Sequence, residues 1–193
     1  MTLEDAPVRR SVQIERFSIF NFQFSIANCL LGFGIVALLG LARALAGTEE
    51  KLAPGRVPPA LEVAGWVNTD PMTLAGLKGK VVVLDFWGIF CAPCRKLMPH
   101  LSQLYEKHRG EGLVVLGVSE DERPDIEKFA KEIEAGYPLA ADRLVEGNGV
   151  TLKAYSIVAI PTVYLIGRNG KIAWIGDGPK LTDKMVLDEL GKK

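Results

Sequence analysis

Cys91 and Cys94, separated by Ala92-Pro93, are the residues of this chain best suited to chemistry. A thiolate attacks disulfides and binds soft metals, and a Cys-x-x-Cys pair sets one sulfur within reach of the other. Three uses compete for such a pair. A structural zinc site needs four ligands, and His100 and His108, the remaining soft donors nearby, are not spaced as a zinc-finger pair. A static disulfide between residues three apart closes a loop so small that it adds little stability. Reversible thiol–disulfide exchange has neither difficulty. A helix beginning at the pair would turn its unpaired N–H groups and positive dipole end toward Cys91 and favour its thiolate. Cys94, one turn on, could then resolve a mixed disulfide. Pro93 suits a first helical turn, where no N–H is missed.

Two more residues bear on that chemistry. Asp85 follows the wholly apolar Val81-Val82-Val83-Leu84 and precedes Phe86-Trp87. A carboxyl carried on such a strand is part-buried, its pKa is raised, and it suits the role of proton acceptor for Cys94. The plainer alternative is a capping or solvated aspartate. Ile160-Pro161-Thr162 enters a second apolar run at its first residue, a place where a strand tolerates proline. X–Pro bonds are where cis peptides occur, but the residues alone do not decide the isomer.

The elements that must hold these residues alternate along the chain. Val81–Leu84 and Leu113–Val118 are β-branched, uninterrupted apolar runs, as in strands covered on both faces. Pro93–His108 is predicted helical, with Leu97, Leu101, Leu104 and Tyr105 on one stripe and Gly110 after a basic last turn. Pro124–Ala135 repeats the helical spacing with Ile126, Phe129, Ala130 and Ile133. Thr162–Ile166 and Lys171–Ile175 flank Arg168-Asn169-Gly170, a hairpin signal, and Leu181–Leu190 closes as a helix. The expectation is an α/β fold with a central mixed β-sheet flanked by helices.

Composition narrows the function classes. Lys plus Arg and Asp plus Glu number 23 each in 193 residues, so no basic surface asks for nucleic acid. Three cysteines cannot staple a small secreted scaffold. From Phe17 to Ala42 no residue is charged, a length sufficient to cross a bilayer as a helix. Residues 1–16 are therefore read as a cytoplasmic segment and 17–46 as a transmembrane signal anchor. A cleavable signal peptide ending at Ala44-Leu45-Ala46 and a buried helix of a soluble protein are the alternatives. Arginines on both sides leave orientation undecided by charge. Cys29 has Asn28 before it and its apolar run after it, the reverse of a lipoprotein acceptor, and reads as an apolar-face cysteine. Arg9-Arg10 lacks the following hydrophobic pair of a twin-arginine signal. Residues 47–60, rich in Pro and Gly, read as a linker, and 61–193 as the folded domain.

Taken in order, Leu74-Ala-Gly-Leu-Lys-Gly-Lys80, the Phe-Trp…Cys-x-Pro-Cys-Arg run, Met98-Pro99, Ile160-Pro161-Thr162 and Asn169-Gly170-Lys171 resemble the thioredoxin superfamily. The resemblance is to its membrane-tethered TlpA/ResA-like disulfide reductases, and it spans the whole folded domain. It implies a thioredoxin-like fold after one transmembrane helix, Cys91 as nucleophile and Cys94 as resolving cysteine. It further implies a cis-Pro161 loop that pairs with substrate backbone, substrate contacts from Trp87, Phe90, Ala92, Pro93 and Ile160, and a helix kinked at Met98-Pro99. Departures stand beside it: Asp85 where this branch commonly has Asn, Gly88 for Ala, Phe90 for Trp, and Leu97 where many relatives carry Glu.

The function so implied is reduction of disulfides in exported client proteins, such as apocytochrome c or copper-site assembly factors. A membrane thiol-reductant would donate the electrons, the catalytic domain would lie on the extracytoplasmic side, and no bound cofactor or metal is needed. Ala92-Pro93 does not fix the potential, so an oxidant or isomerase of exported thiols remains open. A Cu(I)- or client-binding chaperone is a rival because soft thiolates suit that metal. A peroxiredoxin is disfavoured, since Gly88 and Leu84 stand where it wants Thr or Ser and Pro.

Overall fold

A computed structural model describes residues 51–192. The span expected over 17–46 lies outside the described residues. Six strands form one sheet in the order β1-β4-β3-β2-β7-β8. β1 is Val63–Val67, β2 Val81–Trp87, β3 Leu113–Ser119, β4 Leu139–Asp142, β7 Thr162–Ile166 and β8 Ile172–Asp177. β2, β3 and β4 run parallel; β1, β7 and β8 are antiparallel to their neighbours. The sheet is mixed, as the alternation of apolar runs predicts. A two-stranded ribbon, β5 (Leu144–Val145) with β6 (Asn148–Gly149), projects beyond β4.

The central strand shows why the fold takes this form. All seven residues of β2 are buried, with β3 on one side and β7 on the other. Side chains alternate between faces along a strand. Val81, Val83 and Trp87 enter one core with helix α1 (Ala92–His108), while Val82, Leu84 and Phe86 enter the core on the opposite face. Asp85, between Val83 and Trp87, therefore points to the α1 side. The α1 stripe Cys94, Leu97, Met98, Leu101 and Leu104 is buried against that face. α1 ends in a short turn, and Gly112, at φ 99°, supplies the left-handed residue that leads into β3. Helix α2 (Arg123–Glu132) buries Ile126, Phe129 and Ala130. A short helix α3 (Val150–Ala154) follows β6, and α4 (Asp183–Leu190) is capped by Thr182, whose side chain accepts the Met185 N–H.

Several details differ from the sequence reading. β2 continues through Asp85 to Trp87, so the carboxylate sits mid-strand, with the main chain around it paired on both sides. β1, β4, the β5–β6 ribbon and α3 were not expected. The stretch 47–60, expected as a linker, is in part built into the domain. The Gly55 N–H donates to Ile172 O at 2.7 Å, the Ile172 N–H to Arg56 O at 2.8 Å, and the Tyr155 hydroxyl to Pro59 O at 2.7 Å. An edge strand carries backbone groups that need partners, and this segment supplies them.

Candidate active site

β2 delivers the chain, through Gly88-Ile89-Phe90, to the N-terminus of α1. Cys91 is the N-cap of that helix, and its sulfur accepts the Cys94 N–H at 3.2 Å. Pro93 lies in the first turn, which contains no acidic residue, so nothing on the helix opposes a thiolate there. Cys91 and Cys94 are joined as a disulfide, with Cα atoms 5.3 Å apart. Their surroundings are unequal. Cys91 is partly exposed, whereas Cys94 is 0% exposed behind it. An incoming sulfur can therefore reach Cys91 and is shielded from Cys94.

The remaining predicted residues fall into two groups. Phe90 is 95% exposed, Ala92 and Pro93 are exposed beside it, and Ile160 is 38% exposed across from them. Cys91, Phe90 and Ile160, with Val158, line one groove of about 520 Å³. Ile160–Pro161 is a cis peptide, and Pro161 is buried against Gly178. A Cβ on Gly178 would lie 2.5 Å from Leu97 Cδ2 and 3.1 Å from Pro161 Cβ, so only glycine lets the three pack together. Leu97 is thus core beneath the proline loop. Trp87, expected to contact substrate, borders the same groove but is 1% exposed, with its ring stacked on Phe129 at 5.5 Å. As the last residue of β2 on the α1 face, it supports the groove from below.

Asp85 is 0% exposed, and neither carboxylate oxygen has a hydrogen-bond partner among the described residues. Burial pushes its pKa from 3.8 up to about 7. It shares the α1 face of β2 with buried Cys94. A carboxyl poised near neutrality on that face is chemically suited to exchange a proton with the inner thiol.

Two residues of this site carried no signal in the sequence. The Ile89 N–H donates to Asp121 Oδ2 at 2.8 Å, the Ser119 hydroxyl donates to the same oxygen at 2.6 Å, and the Asp121 N–H returns to Ser119 Oγ at 3.1 Å. Asp121 thereby ties the loop before Cys91 to the end of β3. Its position at the carboxyl end of a parallel strand next to the motif-bearing one is the feature that could have drawn attention to it.

Known proteins share both the sequence and this architecture. Residues 54–175 match the AhpC/TSA family. The thiol-disulfide oxidoreductase ResA of Bacillus cereus is 32% identical over 149 residues, covering 72% of this chain and 83% of the relative. A Chlorobium tepidum structure assigned as the thiol:disulfide interchange protein DsbE superposes with a TM-score of 0.63 at 30% identity, over 72% of this chain and 99% of that one. StoA of Bacillus subtilis gives 0.56 at 26% identity, over 70% and 98%. With the cysteine pair at the helix N-terminus and the thioredoxin-like sheet beneath it, the chain belongs to the AhpC/TSA family and is a thiol–disulfide oxidoreductase.

Proposed function

We propose that this chain is a membrane-anchored reductase of disulfides in exported client proteins. The observation that carries the reading is the unequal exposure of the two sulfurs, with Cys91 open to the groove and Cys94 enclosed behind it. Reduced Cys91, as a thiolate, attacks one sulfur of a client disulfide. The client S–S bond breaks, and its other sulfur leaves and takes up a proton. Cys94 gives its proton to the Asp85 carboxylate and attacks Cys91 Sγ. The mixed disulfide breaks, the client's second sulfur leaves and is protonated, and the Cys91–Cys94 bond forms. Two electrons have passed to the client, and a membrane thiol-reductant returns them to the pair.

The apolar exposure of Phe90, Val158 and Ile160 supports a client that presents an extended segment along the groove. Apocytochrome c and copper-site assembly factors are the client classes that the TlpA/ResA resemblance favours. Anchoring, with the domain on the extracytoplasmic side, rests on the uncharged run from Phe17 to Ala42 and on the same resemblance.

The direction of electron flow is tested by the equilibrium reduction potential of the Cys91–Cys94 pair, titrated against glutathione and dithiothreitol. A reductase has a value near or below about −250 mV. A value of about −120 to −180 mV would overturn the direction and make the chain an oxidant or isomerase.

A further inference from the structure

The α1 face of the sheet holds a group of buried polar atoms that the mechanism above leaves unpaired. Both carboxylate oxygens of Asp85, the Trp87 indole Nε1 and the Tyr137 hydroxyl have no hydrogen-bond partner among the described residues. Buried polar groups are nearly always paired, so each needs an explanation. The set is complementary: an ionised Asp85 has acceptors without donors, while Tyr137 and Trp87 have donors without acceptors.

Strand register brings them to one place. Asp85 in β2 is opposite Gly117 in β3, and Gly117 is opposite Leu139 in β4. The Gly117 N–H donates to Pro138 O at 3.0 Å, which fixes the segment containing Tyr137 beside β3. Tyr137, Leu139, Trp87 and Cys94 all enter the α1-side core. β3 can offer no side chain of its own toward Asp85. A Cβ on Gly117 would lie 2.7 Å from Leu139 Cδ2 and 2.8 Å from Trp87 Nε1.

We infer that Tyr137 is a positioning residue for Asp85. Its hydroxyl, together with the Trp87 indole N–H, is the donor that the carboxylate takes, directly or through one internal water, when it ionises. The inference deepens the proposed reduction and rests on Asp85 as acceptor of the Cys94 proton. The other groups facing Asp85 cannot substitute. β7 places Val163 opposite Asp85, the core on that face adds the apolar Val186 from α4 and Phe129 from α2, and its titratable member from α1 is Cys94. The charge of Asp85 also reaches Tyr137, whose pKa rises first through burial and then through that carboxylate. A tyrosine so held remains a hydrogen-bond donor throughout the working range of pH.

The test uses the full chain with carbon-13-labelled aspartate. It follows the Asp85 carboxyl resonance against pH, alongside the rate at which Cys94 resolves a mixed disulfide. Tyr137→Phe keeps the ring and removes the donor. The Asp85 inflection should then move up by about one pH unit, and resolution at pH 7 should slow severalfold while converging with the parent above pH 9. 3-Fluorotyrosine at position 137, a stronger donor of nearly equal size, should move the inflection down. Tyr155→Phe, on the opposite face of the sheet, should leave it in place. An inflection unmoved in both Tyr137 variants overturns the inference. So does an equal shift in Tyr155→Phe, which would mark a general packing effect. Asp85→Asn separates the two readings: a resolution profile that keeps its inflection in that variant fails Asp85 as acceptor, whatever Tyr137 does.

Discussion

Two carboxylates are buried in this sheet, and they are treated in opposite ways. Asp142, at the end of β4, accepts N–H groups from Arg143 and Thr151 on one oxygen, at 2.8 and 3.0 Å, and from Leu152 on the other at 2.9 Å. Asp85, in the middle of β2, accepts none from the described residues. The first carboxylate caps α3 and fastens the β5–β6 ribbon to the sheet, a structural task for which a fully bonded anion is suited. The second is held where its charge is costly and its proton exchangeable. The same side chain is a bonded fastening in one place and a desolvated, readily protonated group in the other, according to how many donors surround it.

That contrast can be tested by removing each group. Asp85 has its pKa raised from 3.8 to about 7, so the folded chain holds that proton more tightly than the unfolded chain. Stability therefore falls as pH climbs from about 4 to about 7, and the whole cost stands above pH 7. Asp85→Asn should stabilise the domain by about 4 kcal/mol at pH 8, with the gain gone below pH 4, as denaturant melts at the two pH values would show. The same variant should resolve mixed disulfides about a hundredfold more slowly at pH 7. A variant that is no more stable at pH 8 would mean that Asp85 is not desolvated. Asp142→Ala should act with the opposite sign. It strands three N–H groups and should lose about 3 kcal/mol, measured by urea unfolding, with resolution chemistry in the surviving folded fraction little changed. Asp121 lies between the two cases, bonded yet beside the cysteines. Asp121→Ala should cost about 1–2 kcal/mol and lower the rate of client attack, whereas Asp121→Asn, which keeps an acceptor for the Ile89 N–H, should recover most of both.

How much of this was legible beforehand follows the same division. Long apolar runs announce their strands, and Thr162–Ile166 has the bounds its sequence suggests. β1, Val-Ala-Gly-Trp-Val, was hidden because an edge strand with one fully buried residue shows neither alternation nor a continuous run. β4 is four residues long and contains two alanines, which carry weak strand preference. At the site, the cysteine pair and the burial of Asp85 are readable, because residue type, spacing and the apolar run around the carboxyl announce them. Asp121 and Tyr137 are not, because Asp121 accepts the Ile89 N–H from 32 residues away and Tyr137 enters the same core from a segment far from the motif, placements that only the sheet brings about. The burial of Trp87 was hidden for a related reason: it borders the groove among active-site residues, but strand alternation turns its ring inward.

Both edges of the six-stranded sheet are interrupted, each at one end. At β8, Gly55 and Arg56 occupy both hydrogen-bonding groups of Ile172, and Pro54, Pro58 and Pro59 around them have no N–H to offer another chain. At β1 the register shifts between Val63 and Gly65, and α2 packs close enough that a Cβ on Gly65 would lie 2.7 Å from Arg123 Cδ. A bulged, crowded margin on one side and a proline-lined strap at the start of β8 on the other shorten the straight template that strand-by-strand polymerisation needs. Margins of this kind disfavour fibrous self-association of the domain.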